Sequence, residues 1–200
     1  MIKAIFFDLD GVLTINKNGT INVCDNLSKL TGIDKDKLLE CHWKIGKPII
    51  NGLRKYSDDW DTFCECIGKK IDINLLQDAF RATPMNKETL NMVSKLRGNY
   101  KVGIITDNTN ERITALEEEH KLKEKFDIII TSSRIHSDKK EEKIFEEALQ
   151  GLKPEECVFI DNGEKNLEVP RKMGIKTIHW ESGQPIKKLE QALKENGVEL

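Results

Sequence analysis

The chain has little net charge, no long apolar run and no repeated or low-complexity tract, and each absence removes a class of function. Charged residues fill 33% of 200 positions but nearly cancel at net −2, which leaves neither a basic surface for nucleic acid nor an acidic tail. A small-molecule partner is the better expectation. The apolar stretch near the N-terminus, Ala4 to Phe7, stops at Asp8, far short of the ~20 residues that span a bilayer, and no signal-peptide pattern precedes it. A soluble, cytoplasmic protein with no membrane partner is expected. Cysteines are odd in number and lack framework spacing: Cys24, Cys41, Cys64, Cys66 and Cys157 read as reduced thiols in a reducing compartment. Cys41-His42 and Cys64-Glu65-Cys66 have neither CxxC spacing nor a second matched pair for zinc, so packing between helices is their expected use.

What is present is a set of short buried-strand signatures. Ile-, Val- and Phe-rich runs recur at Ala4 to Phe7, Val102 to Ile105, Ile128 to Ile130, Val158 to Ile160 and Ile175 to Ile178, each bounded by polar or turn residues. Helical patterns alternate with the later runs, over Lys87 to Leu96, Asn110 to Glu119, Glu141 to Leu149, Lys165 to Met173 and Pro185 to Lys194. Alternation of this kind predicts a parallel sheet with crossover helices, an α/β Rossmann-like core. From about Asn16 to Thr83 no buried-strand run occurs. Leu27 and Leu30, Leu38 and Leu39 after Asp34, Trp60 and Phe63 after Asp58 and Asp59, and Leu75, Leu76 and Phe80 after Asn74 predict about four helices instead. The chain therefore divides into a core of residues 1–15 and 85–200 and an inserted helical unit of residues 16–84. Its hinges are expected at Thr14 to Asn22, with the Asn18-Gly19 turn signal, and at Thr83 to Asn86, with Pro84.

Polar residues gather where the predicted strands end: Asp8 and Asp10, Thr106 and Asp107, Thr131 to Ser133, then Asp161 and Asn162. In an open parallel sheet that edge is where sites are built. Asp8 and Asp10 can face one ligand if the chain turns sharply at Gly11, and a divalent cation shared with Asp161 would hold the carboxylates ionised. Oxygen-only donors point to Mg²⁺ rather than zinc. Asp8-Leu9-Asp10-Gly11 taken alone also fits an ordinary Asp-capped turn.

FFDLDGVLT resembles the first signature of haloacid dehalogenase superfamily phosphatases, and three further motifs follow in the family's order: Thr106 in IITDN, Lys139 in SDKKEEKIF and Asp161 with Asn166 in FIDNGEKNL. The resemblance implies a Mg²⁺-dependent phosphomonoesterase in which Asp8 is the nucleophile and Asp10 the acid/base. Thr106, Asp107 and Lys139 would hold the phosphoryl group. Asp8, Asp10 and Asp161 would ligate the metal, supported by Asn162 and Asn166. The dehalogenases of the superfamily lack an acidic residue at the second position, so Asp10 favours phosphate chemistry. The helical insert resembles a small cap that closes over such sites, and it implies a small phosphorylated metabolite as substrate, such as a sugar phosphate. Within it Trp43, Lys47 and Arg54 are candidate substrate contacts, or else a solvated face.

Three departures from the family pattern stand out. Lys140 follows Lys139 where Pro is common, although the spacing to Phe145 favours Lys139 as the phosphate contact. Asn162 replaces a frequent second Asp, and Pro170 falls inside a helical pattern that it should start or kink. His42 and His120 have no partner assignable from sequence. Two alternatives stay open: a phosphomutase with the same nucleophile, and a catalytically silent binding module on the same fold.

Overall fold

Residues 1–200 are all described by the computed structural model, in which the β-branched and aromatic runs form one parallel sheet. Its strands are β1 (Ala4–Phe7), β2 (Lys101–Thr106), β3 (Ile128–Thr131), β4 (Cys157–Asp161) and β5 (Lys176–His179), ordered β3-β2-β1-β4-β5. Side chains alternate across the sheet as the strand pleat requires. Ile5 and Phe7 bury on one face with Val158 and Ile160, whereas Ala4 and Phe6 bury on the other with Phe159 and Phe145. Both faces are covered, which is why the strands read as continuous apolar runs. β1 lies at the centre, and the chain visits β2 on one side of it before β4 on the other. The ends of these strands therefore flank a crevice at the point where the winding reverses.

Between β1 and β2 come α1 (Gly19–Thr31), α2 (Lys35–Ile50), α3 (Tyr56–Ile67) and α4 (Asn74–Arg81), followed by α5 (Lys87–Leu96). Asn18 does not make the expected hinge turn. Its Oδ1 accepts the Ile21 N–H at 3.1 Å and so caps α1. Asp34 caps α2 through the Lys37 N–H at 3.0 Å. Asp58, expected ahead of α3, lies in its first turn and accepts the Lys55 N–H at 2.8 Å. Leu27, Leu38, Phe63 and Phe80 give these four helices an apolar core of their own, joined by Ala115 from the sheet's side. The two connecting segments run side by side, with Thr14 bridged to Met85 and the Asn86 N–H bonded to the Leu13 carbonyl at 2.8 Å.

The remaining helices are α6 (Asn110–His120), α7 (Leu122–Lys125), α8 (Ser132–Ile135), α9 (Glu142–Leu149), α10 (Glu168–Met173) and α11 (Ile186–Glu195). Residues of α5, α6 and α11 pack on one face of the sheet and residues of α9 on the other. Pro170 sits in the first turn of α10, where a missing N–H costs little, and the expected single helix from Lys165 is a 3₁₀ turn, Glu164–Leu167, leading into it.

The cysteines depart from a fully reduced set. Cys41 of α2 and Cys66 of α3 form a disulfide, their Cα atoms 5.7 Å apart, while Cys24, Cys64 and Cys157 are free and buried. Residues 25 apart in sequence became neighbours because α2 and α3 pack together, a relation that spacing does not reveal. No helix is long and apolar enough to cross a membrane.

Phe159 is fully buried and meets Phe145 edge-on at 5.4 Å, on the strand that delivers Asp161. Phe159→Ala should cost about 3–5 kcal/mol of stability. In urea titrations the midpoint falls while the slope stays near that of the wild type.

Candidate active site

At the end of β1 the Asp8 N–H is still bonded to the Ile160 carbonyl of β4, at 2.8 Å. The chain then reverses through a wide turn, Leu9–Leu13, closed by the Thr14 N–H on the Leu9 carbonyl at 2.9 Å. Gly11 has φ +81°, and a Cβ there would collide with the Asn162 side chain. Only glycine meets both conditions without strain. The turn sends the carboxylates of Asp8 and Asp10 to different partners.

Asp8 faces Lys139, which the loop between α8 and α9 delivers to the strand ends and which is 2% exposed. The Lys139 ammonium donates to Asp8 Oδ1 at 2.6 Å and to Asp161 Oδ2 at 2.7 Å. Lys140 points to solvent, so Lys139 is the lysine of the site. Asp161 is fully buried, and its Oδ1 accepts from the Gly163 N–H at 2.7 Å and from Asn166 Nδ2 at 3.0 Å. Asn166 thus orients Asp161.

Asp107 also serves the lysine, because its Oδ1 accepts the Lys139 main-chain N–H at 3.0 Å. Its carboxylate is thereby turned to the lysine, which leaves its main-chain N–H for the expected phosphate contact. A carboxylate repels a phosphoryl group, and only the Asp107 main-chain N–H suits one.

Asp10 is gripped from the other side. Arg112 of α6 donates from Nη1 to Asp10 Oδ2 and from Nη2 to Asp10 Oδ1, both at 2.7 Å, and Asn108 Nδ2 reaches Oδ2 at 2.9 Å. The expected cation shared by the carboxylates of Asp8, Asp10 and Asp161 therefore meets a different arrangement. Both Asp10 carboxylate oxygens are engaged, so a metal there would share them with Arg112 and Asn108 or take the Asp10 main-chain carbonyl. Neither Arg112 nor Asn108 is marked by sequence pattern. Arg112 stands four residues after Asn108 and donates to Asn108 Oδ1 at 3.0 Å, which is the spacing of one helical turn.

Burial sets the electrostatics. It pushes Asp8 up to about 8, with Asp161 and Asp10 adding to the rise and Lys139 opposing it. Burial works against the Lys139 charge too, but Asp8, Asp161 and Asp107 outweigh it and hold the ammonium protonated. Three acids near one ammonium favour further positive charge, which would hold Asp8 ionised. Hard oxygen donors on Asp8 and Asp161 fit a divalent cation such as Mg²⁺.

Thr106 is buried at the end of β2 and accepts from Asn108 Nδ2 at 3.3 Å. Asn162, expected to support a metal, instead donates to the Lys17 carbonyl at 3.2 Å and packs over Gly11, fastening the start of the insert to β4.

A cavity of about 230 Å³ lies over these groups. Asp8, Asp10, Thr106, Asp107, Lys139, Asn162 and Asn166 border it from the sheet, with Asp161 behind Lys139. The insert supplies the opposite wall, including Thr20, His42, Trp43 and Tyr56. Of the three expected insert contacts only Trp43 borders the cavity, at its rim and 54% exposed. Lys47 is exposed away from it, and Arg54 is drawn to Asp59 at 2.8 Å. His42 finds its partner in the Tyr56 hydroxyl at 2.9 Å, and His120 Nε2 lies 3.2 Å from the Thr83 carbonyl.

The family described as haloacid dehalogenase-like hydrolase matches residues 5–180. No curated protein matches the chain. Among solved structures, a HAD family enzyme from Bacteroides thetaiotaomicron, in complex with magnesium and inorganic phosphate, is 23% identical, covers 94% of this chain and 99% of its own, and superposes with a TM-score of 0.77. A HAD phosphatase from Thermococcus onnurineus is 23% identical with 99% of both chains covered and a TM-score of 0.67. An L-2-haloacid dehalogenase is 15% identical, with 92% of this chain and 86% of that one covered and a TM-score of 0.69. At these identities the likeness is one of fold, and it extends to relatives with different chemistry.

The His42 environment generates a test. Burial, with Arg112 adding, pushes its imidazole from 6.5 down to about 4. A group so lowered takes up its proton more readily in the unfolded chain, so its contribution is complete above pH 6.5 and is lost as pH falls toward 4. Stability measured by denaturant titration across that window should fall less steeply in His42→Gln than in the wild type.

Proposed function

Because the chain belongs to the haloacid dehalogenase-like hydrolase family, we propose that it is a Mg²⁺-dependent phosphomonoesterase acting on a small phosphorylated metabolite through an aspartyl-phosphate on Asp8. The observation that carries this reading is the pair of acids on one turn with divided partners: Asp8 held by Lys139 beside Asp161, and Asp10 held apart by Arg112. A nucleophile and a separate proton-carrying group are what two-step phosphoryl transfer to water needs. The Bacteroides relative, crystallised with magnesium and inorganic phosphate, supports the choice of substrate and metal.

Asp8 Oδ1 is committed to Lys139, which leaves Oδ2 as the attacking atom. It bonds to phosphorus as the ester P–O bond breaks, and the leaving oxygen takes a proton from Asp10. Water then attacks the phosphorus of the acyl phosphate and gives its proton to Asp10. The bond between phosphorus and Asp8 breaks, and inorganic phosphate leaves. Lys139, the Thr106 hydroxyl and main-chain N–H groups of the loop after β2 fix the phosphoryl oxygens. Mg²⁺, when bound through Asp8, Asp161 and the Asp10 carbonyl, would neutralise phosphoryl charge. Residues 16–84 act as a cap over the core of 1–15 and 85–200, excluding water and contacting the leaving group.

Phosphate release from a panel of phosphorylated metabolites and a generic aryl phosphate tests the proposal. Turnover should require Mg²⁺ and stop on chelation. Asp8→Asn should reduce it by on the order of 10³-fold or more. Full Mg²⁺-dependent turnover by Asp8→Asn would remove Asp8 as the nucleophile.

A further inference from the structure

Arg112 takes no proton and forms no bond to phosphorus in the chemistry just described, where it only holds Asp10, yet it is 4% exposed and borders the cavity. The other cations there are committed elsewhere: Lys139 to Asp8 and Asp161, and Lys17 to Glu181 at 2.7 Å. Arg112 is thus the one buried cation on the Asp10 side, where His42, Tyr56 and Thr20 of the insert close the cavity. Its end-on fork, Nη1 and Nη2, grips Asp10, and Nη1 also reaches Asn108. The side fork is different. Nε is buried with no hydrogen-bond partner, and Nη2 has one bond for its two hydrogens.

A guanidinium with donors to spare suits a carboxylate or phosphate; here Nη2 has a hydrogen left over, while Nε has almost no accessible surface. Close packing holds it there. At Gly19, the first residue of α1, a Cβ would collide with both the Arg112 guanidinium and the Asp10 carboxylate. The insert therefore presses against this pair instead of shielding it with a side chain. Leaving-group atoms attached to an ester oxygen within reach of Asp10 are necessarily near Arg112. The cavity of about 230 Å³ places the atoms next to the phosphoryl group against this wall.

We propose that Arg112 is the specificity-determining residue of this site, and that it selects phosphomonoesters whose short leaving group carries a second anionic group, a carboxylate or another phosphate, over those with neutral hydroxylated leaving groups. This rests on the phosphatase reading and narrows its substrate class. Neutral polyols would leave the side fork as unpaired as it is in the free protein, whereas an anionic group gains charge-assisted bonds from it.

Three matched substrates test the inference in the full-length protein with Mg²⁺: phosphoglycerate, glycerol bisphosphate and glycerol phosphate, which share a three-carbon chain and differ in the charge of the far group. Wild-type kcat/KM should be about 10²-fold higher for at least one anionic substrate than for glycerol phosphate. Which of the two is preferred identifies the anion. In Arg112→Met that ratio should collapse toward unity, chiefly through KM of the anionic substrate, and Arg112→Lys should restore part of it. The inference is overturned if the wild-type ratio is near unity, a result that needs no variant to fold. An equal fall for all three substrates through kcat alone would also overturn it, by making Arg112 a positioning residue for Asp10. Aryl phosphate hydrolysis lost in Asp8→Asn shows in either case that the phosphatase reading stands. Its absence in the wild type would sink that reading and the inference together.

Discussion

Everything at the strand ends is organised by one buried ammonium. Lys139 lies between the Asp8 and Asp161 carboxylates at 2.6 and 2.7 Å and so ties the loop before α9 to the ends of β1 and β4. An unpaired charge at that depth would cost several kcal/mol, so each partner is there because the others are. Asp107 fixes the lysine's backbone and Asn166 fixes Asp161. Burial, with Asp161 and Asp10 adding to it and Lys139 opposing, raises Asp8 to about 8 and makes the group a receptor for positive charge. Charge balance among buried groups therefore links the topology of the sheet to its chemistry.

A second buried pair, Asp10 with Arg112, divides the site into two sides. Gly11 makes the division, because its left-handed backbone turns two acids one residue apart toward different neighbours. The Asp8 side is built at the ends of β1 and β4. On the Asp10 side, α6 meets the insert, whose two connecting segments pair at Thr14 and Met85. Ser132 joins the two parts: its hydroxyl donates to the Ile50 carbonyl at 2.8 Å and accepts the Asn108 N–H at 3.0 Å. The end of α2 is thereby bonded to the loop that carries Thr106 and Asn108.

β1, β2 and β4 were legible because burial on both faces produces short apolar runs. The edge strand β5, buried only at Ile178, was marked by two isoleucines alone. α5 was legible at both ends, since Asn86 caps it and its apolar spacing stops at Leu96. The four-residue helices α7 and α8 were not, being too short to show a period. The same limit governs the site. Asp8, Lys139 and Asp161 could be picked out because they end strands or follow a family spacing, but the way each is partnered depends on packing between distant segments. Arg112 is charged inside a helix whose apolar face is weakly marked, and nothing local distinguishes it from a solvated arginine. Asp10 and Asp107 were recognised as important residues, but the partners of their side chains, Arg112 and the Lys139 main chain, come from segments that no local pattern links to them. The Cys41–Cys66 disulfide is likewise a consequence of how α2 and α3 pack.

The central claim is that Asp8 carries the phosphoryl group between substrate and water. Acid quenching of the enzyme during steady turnover, followed by mass spectrometry of the peptide containing Asp8, addresses it most directly. The account predicts one phosphoryl group on Asp8 that hydroxylamine removes. A phosphoryl group on a different residue, or quenched enzyme without any during active turnover, would contradict it.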